Sequence, residues 1–97
     1  MIQRTLLLKF AETTTHEQLL EVAKRFKALQ ATISGIVEIQ AGLNMAEKSK
    51  EYQVVLMVRF ENQDAVNAYT IHENHQAVVS YIREVGRLES IGVDIEI

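Results

Sequence analysis

The chain reads as one α+β domain over residues 1–97, with the element order β-α-β-β-α-β. Alternation of apolar and polar residues at strand period marks four segments. Apolar residues at helical spacing mark two more, the second of them interrupted. Each helical stretch lies between strand segments, which is the order of a ferredoxin-like βαββαβ sandwich. Such a fold has a four-stranded antiparallel sheet with helices on one face.

The opening strand is expected over Met1–Phe10, where Ile2, Leu6, Leu8 and Phe10 share one parity and Leu7 breaks the other. Thr14-x-x-Glu17 and Thr15-x-x-Gln18 both fit a capping box, so a helix should start near His16. Leu19, Val22, Ala23, Phe26 and Leu29 recur at spacings of three and four to about Ala31, and Ser34-Gly35 closes the helix. Ile36–Leu43 alternates Val37, Ile39, Ala41 and Leu43 against Glu38, Gln40 and Gly42, which predicts a second strand. Asn44–Glu51 is charged and reads as a loop.

Tyr52–Phe60 predicts a third strand. It carries Tyr52, Val54, Leu56, Val58 and Phe60 on one face, and Val55 and Met57 on the other. A strand apolar on both faces should be covered on both. Helices cover one face only, so a second copy packed sheet to sheet in a twofold dimer is the expected cover for the other. Glu61–Ile71 predicts a short helix, His72–Asn74 interrupts it, and Gln76–Val85 resumes with Gly86 at its end. Glu89–Ile97 closes as a strand in which Ile91, Val93, Ile95 and Ile97 alternate with polar residues and glycine.

Composition narrows the function. Ten Lys+Arg against thirteen Asp+Glu leave a net charge of −3, which gives no electrostatic case for nucleic acid. There is no cysteine, so disulfides, thiolate nucleophiles, zinc–thiolate sites and iron–sulfur clusters are out. The longest apolar run, Leu6-Leu7-Leu8, is far short of the ~20 residues that span a bilayer. No membrane partner and a cytoplasmic location are expected.

Tyr69, His72 and His75 are the residues best suited to acid–base work, each three positions from the next. A helix break among them leaves open which two converge. If His72 caps the second piece, His75 falls in its first turn. There the helix dipole disfavours imidazolium, and a neutral imidazole near pH 7 is a general base. A metal reading of His72-x-x-His75, with Glu73 or His16 as third ligand, falls short of the donors zinc sites use, so no metal or other cofactor is expected. No G-x-S-x-G occurs, and Gly35, Gly42, Gly86 and Gly92 are too scattered for a phosphate loop.

Three pieces of the chain resemble the stress-responsive A/B barrel domain family. They are Leu8-Lys9-Phe10 ending the first strand, Ser34-Gly35-Ile36 where the family often has Pro-Gly-Ile, and Tyr69-Thr70-Ile71-His72-Glu73-Asn74-His75. The last follows the family's tyrosine, two residues, then His-Pro-x-His, with Glu73 in place of proline. The resemblance covers essentially the whole chain and implies a dimeric α+β barrel. A plant polyketide cyclase related to the family closes a carbon–carbon bond without a cofactor. The resemblance puts its catalytic histidine at His75 and its partner tyrosine at Tyr69. A pocket histidine and a pocket tyrosine of that enzyme fall at Arg4 and Phe26, which are departures.

Two functions are expected from these readings. One is a homodimer that binds an apolar or aromatic small molecule, in stress response or metabolism. Its cavity would lie between helices and sheet, lined by Leu6, Leu8, Phe26, Val58, Tyr69, Val79 and Ile82, with Arg4 and His72 as further ligand contacts. The alternative is a cofactor-free cyclase or lyase using His75 as general base with Tyr69, which requires both side chains to face one cavity.

Overall fold

The computed structural model describes residues 1–97. Strand β1 (Ile2–Phe10) leads into helix α1 (His16–Ala28), which tightens into a 3-10 turn at Leu29–Ala31. Strands β2 (Ile36–Leu43) and β3 (Val54–Phe60) follow, then helices α2 (Gln63–Ile71) and α3 (Glu73–Glu84), and strand β4 (Arg87–Glu96). The sheet runs in the order β2-β3-β1-β4, with every neighbouring pair antiparallel. Fold class and element order are those read from the sequence. No helix is long and apolar enough to cross a membrane.

Several boundaries differ for local reasons. Helix α2 starts at Gln63 and not at Glu61, because the Asn62 side chain caps it by accepting from the Ala65 N–H at 2.9 Å. Helix α3 starts at Glu73 and not at Gln76, because His72 is its cap. Strand β3 begins at Val54 and not at Tyr52, and β4 begins at Arg87 and not at Glu89. The charged segment after β2 holds one 3-10 turn, Glu47–Ser49.

Of the two capping boxes the sequence offers, the structure uses Thr15 and Gln18. The Gln18 N–H donates to Thr15 Oγ1 at 3.1 Å, and the Thr15 N–H donates to Gln18 Oε1 at 2.9 Å. Thr14 instead donates its hydroxyl to the Val85 carbonyl at 2.6 Å, tying the start of α1 to the end of α3. Gly86 follows with φ +117, and a Cβ there would sit 2.5 Å from Thr14 Oγ1, so only glycine fits this crossing.

The core lies between the sheet and the helices. β3 turns Val54, Leu56, Val58 and Phe60 inward, all essentially without solvent exposure. Leu8, Phe10, Val22, Phe26, Leu29, Val66, Tyr69, Val78 and Ile82 complete the packing.

In β2 the expected phase is corrected. The register shifts between Ile36 and Glu38, so Ile36 pairs with Phe60 and Glu38 with Arg59. Val37 is the extra residue of a bulge and is exposed, while Ile36 packs on the core in its place.

The other face of the sheet carries no helix. Ile91, Val93 and Ile95 pair with Leu7, Thr5 and Gln3, so the apolar parity of β4 points away from the helices. These three are 40%, 59% and 57% exposed, an apolar row that Leu7 and Thr5 of β1 separate from Val55 and Met57 of β3 on the same face.

Candidate functional site

The site begins with the helix break. Helix α2 ends at Ile71, and His72 is extended, at φ −65 and ψ 134. The His72 ring nitrogen Nδ1 accepts from the Asn74 N–H at 3.0 Å, capping α3. The end of α2 frees the Thr70 carbonyl from helical bonding. Gln76 Nε2 donates to it at 2.7 Å, and His75 Nδ1 stands 3.3 Å from it.

This arrangement lays the His75 ring on Tyr69, with centroids 4.1 Å apart and planes tilted by 36°. Tyr69 is only 2% exposed, and its ring meets Phe60 edge-on at 5.1 Å. Of the three candidates, Tyr69 and His75 converge, while the His72 ring is committed to the cap.

A cavity of about 260 Å³ opens between the α2–α3 junction and the β1/β4 edge of the sheet. Leu6, Leu56 and Gly92 form its apolar wall, and Tyr69, His75, Arg4 and Asp94 its polar one. A Cβ on Gly92 would lie 3.2 Å from Leu6 Cδ1, so that glycine keeps the wall thin.

Of the candidate residues, Arg4, Leu6, Tyr69 and His75 stand on the wall of this one cavity, and His72 does not. Leu8, Phe26, Val58 and Ile82 are not on the wall. They are buried in the packed core, because their faces meet other side chains with no space between. Val79 lies on α3 away from the cavity. Leu56, Gly92 and Asp94 were missed in sequence. They are the cross-strand partners of Leu6, Leu6 and Arg4, so only the strand register reveals them.

Charge is arranged around this pair. Arg4 Nε and Nη2 donate to the two Asp94 carboxylate oxygens at 2.8 and 3.0 Å, a bidentate fork. The bond to Arg4 holds Asp94 below its ordinary value, and the bond to Asp94 raises Arg4. Burial pushes the Tyr69 hydroxyl up to about 12, with the positive charge of Arg4 opposing, so the phenol stays protonated.

Burial also lowers His75, with the charges of Arg4 and His72 adding to the effect and the Thr70 carbonyl opposing it. The direction is the one expected from its place in the first turn of α3, but burial is the largest cause. A carbonyl oxygen only accepts, so Nδ1 carries the proton in that contact and Nε2 keeps its lone pair. No three His, Asp or Glu side chains gather as metal ligands, and His16 sits apart at the start of α1.

The family model for the stress responsive A/B barrel domain matches residues 2–97. The chain belongs to that family. Solved structures share the A/B barrel protomer. A protein from Bacteroides fragilis, described as dimeric, ferredoxin-like and of unknown function, is 31% identical over 99% of this chain and 95% of its own, with a TM-score of 0.82. An Arabidopsis thaliana protein is 18% identical over 99% and 94%, with a TM-score of 0.86. A hydroxynitrile lyase from Passiflora edulis is 6% identical over 97% and 90%, with a TM-score of 0.81. The last two likenesses are of fold. No curated protein matches the A/B barrel chain.

Proposed function

We propose that the protein is a homodimer that binds a small apolar or aromatic molecule in the cavity beside Tyr69 and His75. The observation that carries the reading is the cavity itself. Its apolar walls, Leu6 and Leu56, bring the polar ends of Tyr69, His75 and Arg4 to one space, the usual make-up of a small-molecule site. The apolar ladder of Ile91, Val93 and Ile95 supports the dimer, as does the dimeric description of the Bacteroides relative. Stress response is the role the family's description suggests.

Native mass spectrometry of the purified protein tests both halves. The expected result is twice the chain mass with an organic adduct that is lost on denaturation. Val93→Lys should give the monomer. A wild-type monomer, or a dimer that retains added acetophenone no better than Gly92→Leu does, would end the reading.

A second reading is favoured by the neutral His75 stacked on Tyr69. In it the protein is a cofactor-free lyase or cyclase. His75 Nε2 takes a proton from carbon alpha to a carbonyl, the C–H electron pair moves into the new C=C bond, and the enolate charge rests on oxygen near the Tyr69 hydroxyl. Exchange of the acetophenone methyl protons in deuterated buffer should be accelerated by wild type and not by His75→Ala. Equal rates would leave binding alone.

A further inference from the structure

We propose that Arg4, held by Asp94, is the group that receives the substrate's oxygen, and that it selects a neutral carbonyl compound over a carboxylate. This rests on the general-base reading of the same cavity and deepens it. Arg4 and Asp94 are direct cross-strand partners on the helix side of the sheet, and both stand on the cavity wall. The fork to Asp94 uses Nε and Nη2 and leaves Nη1 with no hydrogen bond in the chain. The Tyr69 hydroxyl is also unengaged, buried, and close enough to Arg4 to feel its charge.

Two sets of free donors therefore serve one space. The only other polar groups there are the His75 ring and a carboxylate already committed to Arg4. Donors on one side and a lone-pair nitrogen on the other match an acceptor oxygen joined to an acidic C–H. When the C–H proton moves to His75, the negative charge that appears on oxygen meets a guanidinium already in place.

Asp94 is a positioning residue. It fixes the fork and occupies Nε and Nη2, so a carboxylate finds no bidentate partner there, while negative charge on a single oxygen is met by Nη1 and the Tyr69 hydroxyl. The Arg4 ring contact, 5.8 Å from the centroid of Phe60, holds the guanidinium from its other side.

The test uses para-nitrophenol, whose phenol and phenolate absorb in different bands, with benzoate as the carboxylate competitor. It is run at a pH below the solution pKa of the phenol. Wild type should bind the probe as phenolate and bind benzoate weakly. Arg4→Gln should lower phenolate affinity about tenfold or more, the usual weight of a hydrogen bond to a charged group, while leaving bound neutral phenol. Asp94→Asn should strengthen benzoate binding, a change that loss of a purely structural ion pair would not produce. His75→Ala should keep the phenolate preference, which separates this assignment from the base.

An unchanged phenolate preference in Arg4→Gln, or unchanged benzoate affinity in Asp94→Asn, overturns the role given to Arg4 and Asp94 and leaves the base reading standing. No binding of para-nitrophenol to wild type overturns both.

Discussion

The two ends of the helix-covered face follow opposite rules. Beneath α1, the inward side chains of β2 and β3 are all apolar, and Val22, Phe26 and Leu29 fill the space against them. Beneath the α2–α3 junction, the same sheet turns Arg4 and Asp94 inward and offers Gly92 where a side chain would pack. One end is optimised for burial, and the other gives up burial to hold polar groups beside a void. Local departures of this kind collect where a fold does chemistry.

The contrast predicts a graded set of responses. Phe26→Ala should cost about 3–5 kcal/mol in urea unfolding, because the well-packed end leaves a cavity that cannot collapse. Little destabilisation would mean that this end is looser than its packing implies. His72→Ala removes the α3 cap and should cost about 1 kcal/mol. It should also weaken acetophenone binding, since His75 is placed by that helix start. Tyr69→Phe should change stability by less than about 1 kcal/mol, as its hydroxyl has no partner in the chain to lose. The same variant should still lose binding of carbonyl ligands in a titration. Asp94→Asn should fall within about 1 kcal/mol of wild type, since the ion pair is partly exposed.

The smallest effect is on pH. The folded chain holds His75 below its ordinary value of 6.5, so the unfolded chain takes up that proton first as pH falls. Stability should be full above that value and decline below it, towards the folded-state value. Thermal unfolding across this window should show the slope in wild type and a flatter line in His75→Gln. Asp94 acts in the same direction at lower pH, below its ordinary 3.8.

The same contrast explains what could be read without coordinates. The packed end obeys period and parity, so strands, helices and most core residues followed from Val54, Leu56, Val58 and Phe60 and from the α1 stripe. The exception was β2, where a one-residue bulge at Val37 shifts the phase and leaves no mark in a pattern of alternating residues. Tyr69 and His75 were legible as residue types, but their convergence depends on His72 spending its ring on a cap. Three of the seven cavity residues, Leu56, Gly92 and Asp94, were illegible because they depend on the register of β1 against β3 and β4. An inward arginine on one strand and an inward aspartate on another become a pair only when that register is known. Leu8, Phe26, Val58 and Ile82 show the opposite limit, since a side chain facing the right layer can still be enclosed by its neighbours.

Arg4 and Asp94 are 90 positions apart along the chain. Their meeting closes one of the longest loops the fold can make, and such contacts form late because their entropy must be met first. β4, like β2, lies at an edge of the sheet and has only one neighbour there. A molecule lodged between Arg4, Tyr69 and His75 binds only the chain whose β4 has docked. By mass action it would act as a clasp on that strand, slowing amide exchange along Arg87–Glu96 more than along β2.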